Sequence, residues 1–358
     1  GGRTLGLVRL RFESEVVEFH ATQSIANGTV TTAQRLASGG VLRSSSFVPR
    51  GTDVLITEVW WEGAADAGVV SSSLALNISN EQTDAGMNAF CHSYSHGSSS
   101  NVMWSSRQLG FPYQNVNQST VGRRHVYKAA WATIINPPAT PVGQHLLHSD
   151  GSKLTIVTAV LSNYDSFEYE DPILPSQDLA LESMRRVTHL RNTSVLWWQR
   201  FWSKSEISLP TAPLLETQWY GSLYILASSH KTDGSPFAVA PGIVWPKTTD
   251  APAFRGAFTM NYNQEALYYG VHAANHEEIA GAYYNAMLQY IPRGRKDARS
   301  FFQCPGINMD CEIFHWGQSA SGVGDQGQRS NAALAAVPFA NHWLWTRDVA
   351  WLNSTGWP

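Results

Sequence analysis

The hydrophobic pattern of this 358-residue chain changes period once along its length. Up to about residue 165, apolar side chains alternate with polar ones or form short unbroken runs. Val8, Leu10 and Phe12 alternate with Arg9 and Arg11, and similar runs recur at Asp53–Trp61, Ser72–Ile78 and Lys153–Leu161. A period of two buries one face of an extended strand. Turn clusters such as Ala26-Asn27-Gly28, Arg50-Gly51-Thr52-Asp53 and Ser149-Asp150-Gly151-Ser152 separate the runs. Many short strands so punctuated predict a sandwich of antiparallel sheets over residues 1–170. Asp171-Pro172 and Pro175-Ser176 then break the pattern. From Leu179 to Phe201 the residues Met184, Val187, Leu190, Ser194, Trp198 and Phe201 fall at helical spacing, with Ser176 as N-cap. This predicts a helical linker over residues 171–212. From Pro213 onward helices are expected at Leu214–His230, Gln264–Ala280, Gly281–Ile291 and Asn331–Trp345, so the chain reads as a multidomain β + α protein.

With 43% hydrophobic and 15% charged residues the chain is long enough for two domains with their own cores. A net charge of −3 without a Lys/Arg block argues against a nucleic-acid or anionic-membrane surface. No apolar run approaches the roughly 18 to 20 residues of a membrane span. Neither an initiator Met nor a signal peptide opens the sequence. Asn27, Asn77, Asn117, Asn192 and Asn353 each begin an Asn-x-Ser/Thr sequon, which leans towards a secreted or lumenal glycoprotein. Cys304 and Cys311 are close enough in sequence to bridge, leaving Cys91 odd; three reduced thiols are the alternative.

No metal site is expected. Cys91-His92-x3-His96 runs into a Ser-rich stretch that reads as a solvated loop, and His272 and His276 are followed by Glu277 rather than flanking a Glu. His145-x2-His148 reads as a half-buried face of a strand pair. Gly-x-Ser-x-Gly elbow, P-loop and dinucleotide fingerprint are all missing, and no organic cofactor is expected.

The stretch with most chemistry runs from Pro241 to Glu278, where a loop full of aromatics enters an amphipathic helix. Its hinge is Thr259-Met260-Asn261-Tyr262-Asn263-Gln264-Glu265. Two Asn at i, i+2 on a loop-to-helix junction can point both amide oxygens into one pocket, and Glu265 falls where the first helical turn favours a carboxylate. An amide is a poor proton acceptor, so the pair orients a water that a carboxylate elsewhere must deprotonate. Asn263 as a simple helix cap is the alternative. Among the tryptophans crowding the second half, the loop residues Trp245 and Trp316 are the candidate platforms for a sugar ring, and most of the others are expected in the core.

The order Trp245, Gly256-Ala257-Phe258-Thr259, Asn-x-Asn-x-Glu and a Tyr-Tyr pair, with Asn275 twelve positions beyond Asn263, resembles the catalytic region of glycoside hydrolase family 95. That family is known for inverting α-L-fucosidases, with some members acting on galactosides. Its motif reads T-I-N-x-N-x-E-M-N-Y-W; Thr259, Asn261, Asn263, Glu265 and Tyr268 fall in step, with Tyr269 in place of the Trp. The resemblance implies a β-sandwich, a helical linker and an (α/α)6 barrel. Twelve helices with loops need roughly 300 or more residues, and about 145 follow Pro213. Residues 213–358 are therefore expected to be the first part of an incomplete barrel, and the chain alone is expected to be inactive.

By the same resemblance the substrate is a carbohydrate bearing a terminal α-L-fucosyl or related galactosyl residue, cleaved with inversion and without metal or organic cofactor. Asn261 and Asn263 would orient the water and an Asp beyond Pro358 would be the base. Trp245, Glu265, Tyr268, His315 and Trp316 would contact the sugar. The family's general acid is a Glu in an H-L-W-E-H-Y segment before T-G-D. Here Asn341-His342-Trp343-Leu344-Trp345-Thr346-Arg347-Asp348 puts Asn341 at that Glu, and an amide cannot donate a proton to a leaving group at neutral pH. Glu312 is the best substitute, because it sits among aromatics and beside His315, surroundings that desolvate a carboxyl. Asp310 and Asp325 are the other carboxylates considered. Two readings compete with the hydrolase: a family 65-like helical-barrel phosphorylase or hydrolase, and a non-catalytic glycan-binding relic that lost its acid.

Overall fold

The computed structural model describes residues 8–9, 14–62, 75–76, 92–99, 102–110, 126–138, 140–142, 146–148, 153–163, 165, 171–230, 257–314, 317–319 and 328–356. Trp245, His315, Trp316, Asp325, Cys91, His145, Asn77 and Asn117 lie outside the described residues. The chain divides into two units, residues 4–199 and residues 200–358.

In the first unit the strands are β1 (Val8–Arg9), β2 (Val16–Ser24), β3 (Thr29–Leu36), β4 (Val41–Phe47), β5 (Val54–Glu62), β6 (Ala75–Leu76), β7 (His92–Ser99), β8 (Val102–Gly110), β9 (Val126–Asn136), β10 (Thr140–Val142), β11 (Leu146–His148) and β12 (Lys153–Ser162). Eight of them form one antiparallel sheet in the order β2-β3-β4-β5-β12-β9-β8-β7, and β1–β6 and β10–β11 form two short pairs. The expected strands at Asp53–Trp61 and Lys153–Leu161 are β5 and β12, paired directly with Lys153 opposite Trp60. The Ala26-Asn27-Gly28 turn joins β2 to β3. Asn27 Oδ1 accepts from the Thr29 N–H at 3.2 Å, and Gly28 takes φ 65 where a Cβ would collide with the Trp198 indole. Ser98 and Ser99, where a solvated loop is expected, end strand β7, with which β8 pairs along its whole length.

Helix α1 (Ile173–Arg185) covers one face of this sheet, packing on β9 and β12. Ala180 of α1 and Leu190 of α2 (Val187–Trp202) join Phe47, Val54, Ile56, Val102, Ala132, Ile134, Val157 and Ala159 in one core. Fully burying each large member stabilises by about 1.5–3 kcal/mol. The single expected helix from Leu179 to Phe201 is thus two, broken at Arg186 (φ −117, ψ 14). Ser176 is not its cap: it is buried inside α1 with its hydroxyl on the Ile173 carbonyl at 2.8 Å, and Asp171 accepts from the Ile173 N–H at 3.1 Å instead.

The second unit holds α3 (Pro213–Ser229), β13 (Phe258–Thr259), α4 (Asn263–Ala266), α5 (Glu277–Phe302), β14 (Glu312–Phe314), β15 (Gln318–Ser319), α6 (Asn331–Ala335), α7 (Val337–Thr346), α8 (Val349–Trp351) and a π-helical turn, Leu352–Gly356. The expected helix Gln264–Ala280 is helical only at its two ends, in α4 and in the first four residues of α5; turns lie between, closed by Asn275 in the left-handed region (φ 57). The expected Gly281–Ile291 is the middle of α5, which runs on through Pro292 and Gly294 to Phe302. Gly294 is needed there, because a Cβ would stand 2.7 Å from the Asn308 carbonyl. Tyr283 and Tyr284 of α5 donate their hydroxyls to the Ala335 carbonyl (2.8 Å) and the Pro338 carbonyl (3.2 Å), tying α5 to the α6–α7 junction. Cys304 is an exposed and Cys311 a buried free thiol, so the bridge between them is not formed. No described helix is long and apolar enough to cross a membrane.

Candidate active site

Strand β13 delivers the chain to the Asn-x-Asn hinge, and β14 runs antiparallel beside it. Phe258 pairs with Ile313 and Thr259 with Glu312, and the Met260 N–H donates to the Cys311 carbonyl at 2.7 Å. A three-stranded sheet too small to be seen in the hydrophobic pattern therefore brings half-buried Glu312 alongside the hinge. Asn261 and Asn263 are both half-buried.

Asn263 is the first residue of α4 and not its cap. The cap is Tyr262, at φ 129 and ψ −45. Its N–H donates to Glu265 Oε2 at 3.1 Å, and its carbonyl accepts from the Ala266 N–H at 2.9 Å. Glu265 is 0% exposed. Burial pushes its carboxyl above the usual carboxylate range, outweighing the hydrogen bonds from the Glu265 and Tyr262 backbone.

Three buried oxygens of this stretch find no hydrogen-bond partner among the described residues: Thr259 Oγ1, Asn261 Oδ1 and Glu265 Oε1. A buried polar atom left unpaired costs about 1–3 kcal/mol, so a run of three within seven residues is not a packing solution. Such a group suits a ligand that brings its own hydroxyls.

Elsewhere in this unit the side chains are largely aromatic, and two imidazole nitrogens, His272 Nδ1 and His342 Nδ1, are buried without a partner among the described residues. His230 Nδ1–H donates to the Leu226 carbonyl (2.7 Å), which leaves Nε2 to accept from the Tyr268 hydroxyl at 2.6 Å. Tyr268, 1% exposed, thus directs its hydroxyl to His230 and its ring against Tyr283. Asn341 is half-buried on α7. Its neighbour His342 lies 3.9 Å from the Trp351 ring and 5.5 Å from the His272 ring. Because Tyr284 donates to the Pro338 carbonyl, His272 must donate through Nε2 to the Tyr284 oxygen (3.0 Å). Burial pushes both imidazoles below their usual range, which keeps them neutral. No spacing in the sequence marks His272 and His342 as neighbours; only the packing shows it.

His276 stands apart from His272. It is fully buried, stacked on Phe201 at 3.9 Å, with Nδ1 at 3.1 Å from Glu278 Oε1 and Nε2 at 3.1 Å from Ser205 Oγ. Glu278 Oε2 also binds Lys204 Nζ at 2.9 Å, and Asn275 Nδ2 donates to the Lys204 carbonyl at 3.0 Å. Among the described residues no group of three His, Cys, Asp or Glu is arranged to hold a metal ion.

Residues 206–358 match the glycosyl hydrolase family 95 catalytic domain. No curated protein matches the chain. Among solved structures it is similar to a putative kojibiose phosphorylase from human microbiome, at 11% identity and TM-score 0.61 over 95% of this chain and 44% of that one. A bacterial glucoamylase complexed with acarbose is similar at 9% identity and TM-score 0.49, over 98% of this chain and 48% of that one. The chain spans less than half the length of either structure. At such identity the likeness to the phosphorylase speaks for the fold alone, an antiparallel sheet followed by helices.

Proposed function

Starting from residues 206–358 as a segment that carries the family 95 catalytic-domain pattern, we propose that the polypeptide containing this chain is a glycoside hydrolase. It removes a terminal α-L-fucosyl, or related galactosyl, residue from a glycan with inversion at the anomeric carbon. The observation that carries this reading is the unpaired set Thr259 Oγ1, Asn261 Oδ1 and Glu265 Oε1 on the β13–α4 hinge, with Glu312 beside Thr259 across the ladder.

Inversion needs a water on one face of the sugar and a proton donor at the leaving oxygen on the other, with the two carboxyl groups about 6.5–9.5 Å apart. Asn261 and Asn263 hold the water through their amides and Glu312 supplies the proton. The base is a second carboxylate, which the family resemblance puts downstream of Pro358. Trp245, His315 and Trp316 line the sugar by the same resemblance. Exposed sequons at Asn192 and Asn353 go with a secreted or lumenal glycoprotein.

The test is hydrolysis of a 4-nitrophenyl α-L-fucoside and of fucosylated oligosaccharides by the full polypeptide, followed by proton NMR of the first-formed anomer. β-L-fucose appearing first supports the reading, and α-L-fucose appearing first overturns inversion. A sugar 1-phosphate formed only with inorganic phosphate replaces it with phosphorolysis. Glycan binding without turnover favours the relic reading, which Asn341 motivates.

A further inference from the structure

Four described non-glycine residues have positive φ. Asn275, Gln303 and Arg347 lie at φ 57, 52 and 53, the ordinary left-handed region used where helices and turns end. Tyr262, at φ 129 and ψ −45, lies outside it. This is close to the mirror image of the conformation His276 adopts (φ −125, ψ 45), so it is open to glycine and opposed by a Cβ. Holding a tyrosine there costs on the order of 1–3 kcal/mol.

Nothing about the Tyr262 side chain compels the strain. It is 59% exposed and meets Tyr269 only at 6.3 Å between ring centres. The backbone, however, is gripped on both sides. Upstream, the Met260 N–H is fixed on the Cys311 carbonyl; at the residue itself, the N–H is fixed on Glu265 Oε2 and the carbonyl on the Ala266 N–H. Tyr262 is also the one residue between Asn261 and Asn263, so its torsions set how the two amides face each other.

Resting on the reading of those amides as the water-holding pair, we propose that Glu265 is a positioning residue: its buried carboxyl oxygen clamps Tyr262 in the strained conformation that aligns Asn261 with Asn263. Family resemblance put this carboxylate against the sugar. The clamp instead gives Oε2 a task inside the protein and leaves Oε1 buried without a partner among the described residues.

Glycine at position 262 needs no clamp, which makes the proposal testable by rescue. In the full polypeptide, Glu265→Met removes the acceptor and is expected to lower kcat about 10- to 100-fold with KM changed less than about threefold, the size of loss that a displacement near 1 Å produces. Glu265→Gln keeps an acceptor for the Tyr262 N–H and should lose at least about tenfold less kcat than Glu265→Met. Tyr262→Gly added to Glu265→Met should restore at least half of the lost rate on a logarithmic scale, and Tyr262→Gly alone should be nearly silent. Equal losses in the Met and Gln variants, or no rescue by glycine, overturn the clamp.

A crystal structure of the Glu265→Met protein decides the matter without activity, and one of the Glu265→Gln protein serves if the Met variant does not fold. Tyr262 moving to negative φ in the Met variant supports the proposal, as does Tyr262 keeping positive φ in the Gln variant with the introduced amide oxygen on its N–H. Tyr262 keeping φ near 129 with no acceptor on its N–H overturns it. If the clamp is seen but wild type cleaves no glycoside, the functional reading falls and the backbone clamp stands.

Discussion

Two buried polar clusters lie in the unit of residues 200–358 and are satisfied to opposite degrees. In one, His276 has both ring nitrogens engaged, Glu278 shares its oxygens between His276 and Lys204, and Asn275 reaches the Lys204 carbonyl. The bonds from Ser205 and Lys204 join their strip to the start of α5, and the cluster reads as a structural staple. The resulting Ser205–His276–Glu278 relay has the connectivity of a hydrolytic triad. Even so, its histidine is closed off under Phe201. In the other cluster the hinge strands Thr259, Asn261 and Glu265 oxygens in the interior. Types of residue barely differ between the two. Completeness of hydrogen bonding is what separates a joint from a site.

The contrast breaks first at Asn263. Asn263→Ala is expected to cut hydrolysis by about 10²–10⁴-fold, the range for a group that positions a proton-transferring water, while the melting temperature stays within about 2 °C. Unchanged turnover in the full polypeptide removes Asn263 from the mechanism. In the staple the balance reverses. Glu278→Ala should cost about 1.5–3 kcal/mol of stability, the worth of a hydrogen bond to a charged group, and leave kcat within about twofold; chemical denaturation beside a rate assay measures both.

The pH response sharpens the same contrast. Burial opposes the ionised form of Glu278, but hydrogen bonds from His276 and Lys204 outweigh it and hold the carboxyl below its usual range. Its contribution is therefore complete above the unfolded value near 4.3 and is lost as pH falls through the folded value. Glu278→Gln should flatten the acid limb of the stability curve. Glu265 has the opposite sign. Its raised folded value means a contribution complete below about 4.3 and lost as pH rises through the folded value. Glu265→Gln should remove that small decline in melts between pH 4 and pH 8. Identical slopes for wild type and variant would mean the carboxyl is hydrated.

Much of the architecture was legible because it follows from period. The pattern of Lys153–Leu161 is realised as β12, and the helix expected at Leu214–His230 as α3. The hinge region was not, since Leu267, Tyr268, Val271 and Ala274 keep helical spacing through what are turns. Side chains packed into a core show the same period whether or not the backbone between them is helical. The helix expected to end at Ile291 runs on through Pro292 to Phe302, and Gly294 within it answers to the close approach of the Asn308 carbonyl. At the site, motif order marked Asn261, Asn263 and Glu265. Nothing in the letters Asn-Tyr-Asn shows that the tyrosine takes a glycine conformation, and only the long-range pairing of Thr259 with Glu312 shows which carboxylate lies beside the hinge.

The phenols that fasten α5 to the α6–α7 junction have a spectroscopic consequence. Burial first, and the nearby Glu265 and Glu277 second, push Tyr283 and Tyr284 far above the ordinary phenol range. Neither hydroxyl can become phenolate while it donates to a carbonyl. In an alkaline jump followed by tyrosinate absorbance, exposed tyrosines will ionise within the mixing time, and these two will ionise only as fast as the helices part. Fully buried Tyr290, also pushed upward, ionises in the same slow phase, so the part of it lost in Tyr283→Phe and Tyr284→Phe proteins is the clock for the opening of this junction.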